Sequence, residues 1–383
     1  MHSHKELLTC PTFAKEGEQE PAMLSACEPV QLYTQDISMG ELYDKAISFD
    51  ELYKGLQKAS RNVKWKDSAA SYWANGLKNT YKLRQELLTD RYKISPYQRF
   101  MIHEPKEREI VATRIKDRQF QRSLCDNVLY PQITKSFIRD NCACQKGKGV
   151  DDALNRMDAH LHRYFRKHGA SGWALKCDIR HYFAETPHDV AKAAVRKRVT
   201  DDEAYRRAEE IIDSFGGDKG IGLGSQVSQL VELAVLDDFD HWIKERLKVK
   251  HYIRYMDDFI LIHESKDFLA AAMKKIAERL KGLGLTLNKK TGIHPLKQGL
   301  KFLQWRFLLK ESGRVIRRMS RRSIVRERRK LKRMAGLLRQ GKCSISAMKE
   351  NLQSWLANAQ RGNTKSAVRG MIRYFNGLTK EAY

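Results

Sequence analysis

The chain has 383 residues, which is long enough to bury a large core and to divide into two or three subdomains. It carries 72 Lys and Arg residues against 46 Asp and Glu residues, and the formal net charge of +26 indicates a polyanionic partner, with nucleic acid considered first. A membrane partner is not expected, because no apolar run approaches the roughly 20 residues of a spanning helix. The basic start and apolar core of a secretory signal are also lacking, so a cytoplasmic location is predicted.

The first part of the chain predicts a leader followed by helices and a hairpin. Residues 1–45 have no sustained hydrophobic period and are interpreted as a leader or flexible extension. Between Phe49 and Leu88 apolar and aromatic residues recur at helical spacing. The segment FMIHEPKEREIVAT (100–113) is typical of a β-hairpin whose turn contains a proline, which stops ladder pairing. A helix is expected over residues 116–133.

Residues 141–215 combine a Gly-Lys loop with helices on both sides of a short strand. The loop at 147–149 leads into an amphipathic helix that ends at Gly169. It lacks the glycine spacing and the Lys-Ser/Thr pair of a Walker phosphate-binding loop. WALKCDI (173–179) predicts a strand, and residues 187–215 are expected to be helical.

Residues 216–309 predict the remainder of a mixed sheet. A glycine-rich turn precedes an expected helix over 228–247, and the segment HYIRYMDDFILIH (251–263) predicts a hairpin. A further helix leads to an expected strand near LTLNKK (285–290) and to a hairpin around LKFLQWRFLL (300–309). Because strands and helices are mixed rather than regularly alternating, the pattern indicates an α+β fold and not a doubly wound sheet.

Basic residues are concentrated between Lys310 and Arg333. Of these 24 residues 12 are Lys or Arg, and only Glu311 and Glu327 are acidic. A charged run is ordinarily a solvated helix face, but the acidic partners that would stabilise such a helix are almost absent here. The run is therefore predicted to bind a polyanion, and the last 50 residues are expected to form a small helical subdomain.

Two adjacent carboxylates, Asp257 and Asp258, lie between the apolar halves of the 251–263 hairpin. They repel each other and lose solvation there unless a cation compensates them, although a turn whose aspartates face water explains this stretch equally well. Asp178 ends the strand at 173–179 and, by strand alternation, points to the opposite face from Cys177. If the strand ends meet, three carboxylates share one sheet edge, where two Mg²⁺ ions about 4 Å apart could support phosphoryl transfer.

The motif YMDD at 255–258, together with the aspartate of CDIRHYF, resembles the palm active site of reverse transcriptases. The resemblance covers roughly residues 95–375. EPKEREIVATRIKDRQFQRSLCDN and NCACQKGKGVDDAL are similar to the fingers of prokaryotic, group II intron-like enzymes. LGSQVSQLVELAVLDDFD, LTLNKKT and GLKFLQWRF resemble palm motifs, and SWLANAQRGNT resembles the end of the thumb. The resemblance implies a right-hand polymerase fold, with fingers, a palm with a mixed or antiparallel sheet, and a helical thumb.

The resemblance also implies an organisation of the chain and its partners. The expected regions are a leader at 1–45, N-terminal helices and fingers at 46–170, a palm at 171–309 and a basic helical thumb at 310–383. Two Mg²⁺ ions, replaceable by Mn²⁺, are the expected cofactors, and dNTPs are the expected substrates. Template RNA, a DNA or RNA primer and the cDNA product are the expected partners. Whether an accessory protein or an oligomer is involved stays open.

By position, the resemblance implies that Asp178 and Asp257 are the main metal ligands and that Asp258 is the supporting carboxylate. Ile179, next to Asp178, belongs to the same expected metal site. Phe183 stands where the family has an aromatic steric gate that excludes the 2′-hydroxyl, although an ordinary core phenylalanine is the alternative. The other residues expected to contact the nucleotide are Lys106, Arg108, Gly224, Ser228, Gln229 and Lys290. The residues expected to contact nucleic acid are Lys146, Lys148, Arg317, Arg318, Arg321, Arg322, Arg328, Arg329 and Lys330.

Departures from the group II intron pattern bear on the subgroup. Leu223 precedes Gly224, and Ser228-Gln229 replaces Ser-Pro, a form that resembles the reverse transcriptases of diversity-generating retroelements. VELAVLDD replaces the usual segment with Ala-Asn, and defence-associated bacterial reverse transcriptases, which act in antiphage immunity with a non-coding RNA, carry comparable departures. The chain is therefore interpreted as an RNA-directed DNA polymerase of the diversity-generating type. The alternatives are a defence enzyme, a non-catalytic RNA-binding scaffold or maturase, and a palm-fold cyclase, which the basic run disfavours.

Overall fold

This computed structural model describes residues 40–63, 65, 67–103 and 107–380, and the described part belongs to a single unit. Most of the expected leader and Lys106 lie outside the described residues. Four helices precede the first sheet: α1 (Glu41–Ala46), α2 (Phe49–Ala59), α3 (Asp67–Ala74) and α4 (Gly76–Leu88).

Helix α2 begins where its sequence supplies a cap. The Ser48 hydroxyl accepts a hydrogen bond from the Glu51 amide, and acidic residues in the first turn complement the helix dipole. Leu52 and Leu56 are fully buried. A Cβ on Gly55 would lie 2.5 Å from the Gln119 carbonyl oxygen, so this glycine permits the close packing of α2 against α5 (Ile115–Leu124).

The expected hairpin at 100–113 is present as β1 (Gln98–Ile102) and β2 (Arg108–Ala112), an antiparallel pair with Phe100 opposite Ile110. The helix expected over 116–133 is interrupted. After α5 the chain forms a π-helical turn (Cys125–Leu129) and then α6 (Tyr130–Thr134). Pro131 has no amide hydrogen and cannot continue the regular helical hydrogen bonds, which accounts for the π-helical turn just before it.

The central sheet contains β3 (Trp173–Asp178), β4 (His251–Tyr255), β5 (Asp258–His263) and β6 (Gly292–Pro295) in the order β4-β5-β3-β6. Every pair in it is antiparallel. Cys177 and Phe259 belong to one buried cluster, and Ala174 and Ile260 belong to another, so the strands are buried on both faces. Helix α7 (Val150–His168) packs into the second cluster.

The first cluster is covered by α8 (Tyr182–Glu185), α9 (His188–Arg196), α10 (Asp202–Asp213), α11 (Gln226–Val235), α12 (Asp237–Glu245) and α13 (Lys266–Lys281). The single helix expected over 228–247 is two helices, because Leu236 leaves the helical region with φ −97° and ψ 8°.

The structure differs in detail from the expectations at two strands. LTLNKK (285–290) is not a strand but makes one isolated bridge, between Leu287 and Ile179, and the strand β6 follows it at Gly292–Pro295. The Asn288 amide donates to the Asp178 carbonyl oxygen at 2.7 Å, and the Thr291 amide donates to the Asn288 carbonyl oxygen, so residues 288–291 form a turn instead.

The second correction concerns the start of the basic run. Residues Val315–Met319 form strand β9, which pairs with β8 (Trp305–Leu309), and β8 pairs with β7 (Leu300–Phe302). The expected boundary between residues 309 and 310 therefore falls within a three-stranded sheet, and the region after it is not entirely helical.

Three helices complete the described chain: α14 (Arg321–Arg339), α15 (Ile345–Ala359) and α16 (Lys365–Lys380). Their apolar faces join the same cluster as α7 and the β7–β9 sheet, through residues such as Leu331, Met348 and Met371. Among the described residues, no helix is both long and apolar enough to cross a membrane.

Candidate active site

Three aspartates meet where β3 and the β4–β5 hairpin end. Asp178 lies directly opposite Asp258 in the antiparallel ladder, and Tyr255 pairs with Asp258 to close a turn of two residues, Met256 and Asp257. The Ile179 amide donates a hydrogen bond to the Asp257 carbonyl oxygen at 3.1 Å. The pairing thus brings the expected carboxylates to one end of the sheet.

The turn itself has an unusual backbone. Met256 has φ 56°, in the left-handed region that non-glycine residues adopt at a cost of about 1–2 kcal/mol. Two-residue hairpins favour positive φ because it matches the twist of the strands, and glycine or asparagine usually supplies it. Residues held in this way are more frequent at functional sites than elsewhere, so the conformation is compatible with a functional role for the turn.

Asp258 is the aspartate whose environment the structure defines most fully. Its Oδ2 accepts a hydrogen bond from the Lys176 Nζ at 3.2 Å, and its Oδ1 is buried with no hydrogen-bond partner. Burial raises the pKa of Asp258 to about 6, with Lys176 opposing the shift and the charges of Asp257 and Asp178 adding to it. Lys176 also donates to the Lys301 carbonyl oxygen at 2.9 Å, which fixes its position.

The donor types suit a hard divalent cation. Carboxylate oxygens are the ligands that Mg²⁺ prefers, and the unpartnered Oδ1 of Asp258 is an acceptor that a cation would satisfy. Within the described part of the chain, no three His, Cys, Asp or Glu side chains are already arranged around one metal position. The side chains therefore fit a metal site by chemistry and by strand register, while Lys176 compensates the charge of Asp258.

A buried polar network lies beneath the turn, and the sequence analysis did not anticipate it. The Arg254 guanidinium binds the Asp240 carboxylate, and both side chains are 0% exposed. Glu232 is also fully buried, with one carboxylate oxygen accepting from the Thr186 hydroxyl at 3.0 Å. Burial raises the pKa of Glu232 to about 8, so this carboxyl is mainly protonated at neutral pH. Charged residues within predicted core helices and strands were the available signal for this network.

The expected nucleotide-binding residues differ in burial and in their contacts. Phe183 is half-buried on α8, with its ring edge-on to Tyr182. Gly224 has φ +132°, and a Cβ there would lie 3.0 Å from the Val111 carbonyl oxygen, so its close approach is to strand β2. On α11, Ser228 is fully buried and its hydroxyl has no partner, whereas Gln229 is exposed.

The expected triphosphate contacts lie at two sites. Arg108 is exposed at the start of β2. Lys290 is exposed in the 288–291 turn, and its amide donates to the Asn288 side chain at 3.1 Å. Because the Asn288 amide is bound to Asp178, this turn lies beside the aspartates.

The expected nucleic-acid contacts differ from one another in exposure. Arg317 is buried, donates to the Arg361 carbonyl oxygen and forms an ion pair with Asp158, so its guanidinium is occupied within the protein. Lys148 donates to the Asn141 carbonyl oxygen at 2.8 Å. The exposed members of the expected set are Lys146, Arg318, Arg321, Arg322, Arg328, Arg329 and Lys330.

Most of these exposed residues lie on α14. Arg326, Lys332 and Arg333 are exposed on the same helix, and Glu327 is its one acidic residue. The Glu327 carboxylate accepts a hydrogen bond from the Asn351 side chain rather than from a basic residue. The helix therefore presents a basic surface with almost no internal charge compensation.

Comparison with known proteins assigns the chain to a class. Residues 103–305, more than half of the chain, match the family model described as reverse transcriptase (RNA-dependent DNA polymerase). The chain therefore belongs to the reverse transcriptase family, which confirms the resemblance of its motifs to reverse transcriptases, while the subgroup stays a prediction. The antiparallel sheet with its flanking helices is an α+β fold, as the sequence predicted.

Individual relatives are distant. Protein YkfC of Escherichia coli (strain K12) is 24% identical over 277 residues, which are 60% of this chain and 71% of YkfC. Telomerase from Candida albicans, solved with a fragment of telomeric RNA, is 11% identical with a TM-score of 0.47, over 76% of this chain and 56% of that chain. Apo telomerase from Candida tropicalis is 12% identical with a TM-score of 0.46, over 78% and 62% of the two chains. The chain therefore spans about three fifths of these telomerase chains.

Proposed function

We propose that this protein copies an RNA template into DNA, with Asp178, Asp257 and Asp258 as its catalytic carboxylates. The observation that carries the proposal is the register that sets Asp178 opposite Asp258 at the end of the sheet, with Asp257 in the adjoining turn. Asp178 and Asp257 are the main metal ligands in this proposal. The side chain of Ile179 is apolar, so only its backbone carbonyl oxygen can join them.

The chemistry needs two divalent ions, Mg²⁺ or Mn²⁺ in its place. When bound, such ions activate the primer hydroxyl and neutralise the leaving pyrophosphate. Asp258 supports the site from the β5 side, and Lys176 keeps this carboxylate charged and in place. Lys290, in the turn beside Asp178, adds positive charge where the pyrophosphate would leave.

Selection of the nucleotide is assigned to the side chains around the aspartates. Phe183 lies within the short helix α8, which follows Asp178 in the chain, and would exclude a 2′-hydroxyl by its bulk. Arg108, with Lys106 two positions before it in the sequence, would bind the triphosphate, since arginine forks onto phosphate oxygens and lysine acts as a point charge. Gly224, Ser228 and Gln229 would line the base pair at the start of α11.

The basic surface of α14 is proposed to hold the template and primer. Backbone phosphates are recognised by positive charge without sequence preference, which suits a helix with nine exposed basic residues and one acidic residue, Glu327. In this scheme residues 46–170 form N-terminal helices and fingers, the palm begins at residue 171, and the thumb consists of α14 to α16, which follow the β7–β9 sheet. Arg317 holds β9 rather than nucleic acid.

We further propose that the template is a dedicated non-coding RNA, as in diversity-generating retroelements. The supporting feature is the Leu223-Gly224 and Ser228-Gln229 pattern at the start of α11. A defence role with another non-coding RNA, and an RNA-binding scaffold without catalysis, are the alternatives.

One preparation distinguishes these roles. The protein is purified from its host, and the bound RNA and any DNA product are sequenced, with Asp257→Ala as the inactive variant. Asp267→Asn, an exposed aspartate in the first turn of α13, is the matched control for loss of a negative charge. A repeat RNA with cDNA altered at adenines supports the proposal. A structured RNA with phage-induced DNA supports defence. Bound RNA without Asp257-dependent DNA would overturn the polymerase proposal.

A further inference from the structure

The buried Arg254 side chain connects the catalytic turn to the helices behind the sheet. Its Nε and Nη2 donate to the two carboxylate oxygens of Asp240 at 2.7 and 2.6 Å. Its remaining nitrogen, Nη1, donates to the Met256 carbonyl oxygen at 3.2 Å. One planar fork thus binds α12 with two nitrogens and the turn with the third.

Both ends of this connection are fixed. Asp240 also accepts a hydrogen bond from the Tyr252 hydroxyl at 2.5 Å, so two residues of β4 share one carboxylate. The backbone of Arg254 donates to the Asp140 carbonyl oxygen and accepts from the Cys142 amide, each at 3.0 Å. These bonds hold β4 on its outer edge, and the guanidinium has no solvent to turn towards.

Stability alone is a weak explanation for this pair. Removing two charges from water costs several kcal/mol per ion, and well-packed apolar residues in place of a buried pair often leave a protein as stable or more stable. A point of attachment for the turn is a different benefit, because Met256 is held in the left-handed region and directly precedes Asp257. The Nη1 bond holds the Met256 carbonyl of this turn, while the Ile179 amide holds the Asp257 carbonyl from the β3 side.

We propose that Arg254 is a positioning residue, which holds the Met256 carbonyl and thereby sets the place of Asp257 for metal binding and catalysis. The inference rests on the proposed role of Asp257 as a metal ligand. Arg254 touches neither substrate nor metal in this scheme. It acts through the turn, as the partners behind metal ligands do elsewhere, where their loss costs about 10–100-fold in metal affinity or activity.

The test removes the pair without leaving a buried charge. Arg254→Met and Asp240→Leu are combined with Tyr252→Phe, so that no hydroxyl loses its acceptor inside the core. Tyr252→Phe alone is the matched control, because it alters the same network but not the bond to Met256. A second variant, Arg254→Lys, keeps a positive charge for Asp240, but one ammonium group cannot bind both Asp240 and the Met256 carbonyl oxygen.

Two readouts are needed. The first is the affinity of the protein–primer–template complex for Mn²⁺, measured by electron paramagnetic resonance. This measurement does not depend on turnover. The second is steady-state kinetics with melting as a check on folding. We expect the triple variant and Arg254→Lys to bind Mn²⁺ about 10–100-fold more weakly and to lose a similar factor in kcat, with the dNTP KM nearly unchanged. Tyr252→Phe should match wild type in all of these.

The outcomes separate the two proposals. Wild-type Mn²⁺ affinity and kcat in a folded triple variant would overturn the positioning role, and if that variant does not fold, the same result in Arg254→Lys would do so. If Asp257→Asn binds Mn²⁺ as well as wild type, the proposed role of Asp257 fails instead. Weak binding in Asp257→Asn together with full binding in both Arg254 variants refutes the positioning role alone.

Discussion

Replacing Lys176 with methionine should move the pH dependence of the enzyme in a defined direction. Lys176 and Asp258 are 3.2 Å apart, with 30% and 21% of their side chains exposed, so the pair is only partly screened by water. Methionine keeps most of the length of the side chain and removes the ammonium. Burial and the charges of Asp257 and Asp178 raise the pKa of Asp258, Lys176 lowers it, and the net result is a pKa of about 6.

The magnitude follows from the one bond that is lost. A hydrogen bond to a charged group contributes about 1.5–3 kcal/mol, and 1.36 kcal/mol corresponds to one pH unit. Removing a cation that favours the charged carboxylate raises its pKa further. If catalysis needs Asp258 ionised, activity is lost on the acid side below that pKa, so the acid limb of the rate profile should move up by about one to two pH units.

The assay is single-nucleotide extension of a primer–template between pH 5.5 and 9 at saturating Mg²⁺. Lys176→Met should be slow at neutral pH and recover at the alkaline end of the range. Lys297→Met, which removes an exposed lysine from the short 3₁₀ turn before β7, should follow the wild-type profile. An unchanged acid limb, or a loss of rate that alkaline pH does not restore, would refute the role given to Lys176.

Three further predictions concern other parts of the molecule. Replacing Arg328, Arg329 and Lys330 with glutamine should weaken primer–template binding at all sequences and reduce the salt slope by about 2 to 3; an unchanged slope would contradict the basic surface on α14. Phe183→Ala should raise ribonucleotide incorporation about tenfold or more while deoxynucleotide incorporation continues, and unchanged discrimination would return Phe183 to an ordinary core role. Glu232 has its pKa raised from 4.5 to about 8, so the folded state binds the extra proton and loses stability as pH rises through that window. Glu232→Gln should abolish this loss of stability, whose upper bound is about 5 kcal/mol. If the free energy of unfolding changes equally between pH 5 and pH 9 in wild type and in Glu232→Gln, the prediction is wrong.

Local sequence was sufficient to predict the strands that carry the aspartates. The alternation in 173–178 and the two apolar halves of 251–263 are local patterns, and both strands formed as expected. Asp178 and Asp258 meet because these two strands pair, and the motif resemblance supplied that long-range information.

What sequence could not supply were features decided by distant partners. Arg317 is basic within a basic run, but its ion pair is with Asp158, 159 positions earlier. Strand β9 depends on pairing with β8, and its apolar positions are hidden among arginines. Arg254 and Asp240 are both charged, and their complete burial follows only from the packing of α12 on the sheet.

The β8–β9 ladder has a practical consequence for anyone dividing this enzyme into fragments. A polypeptide cut after Leu309 would leave β8 as an open edge with unpaired backbone groups. It would also uncover the apolar surface of Trp305 and Phe307, which the C-terminal helices help to bury. Such an edge is a template for intermolecular strand addition, so the fragment should precipitate or associate even though it retains all three aspartates. A workable truncation must keep β9 and the helices that follow it.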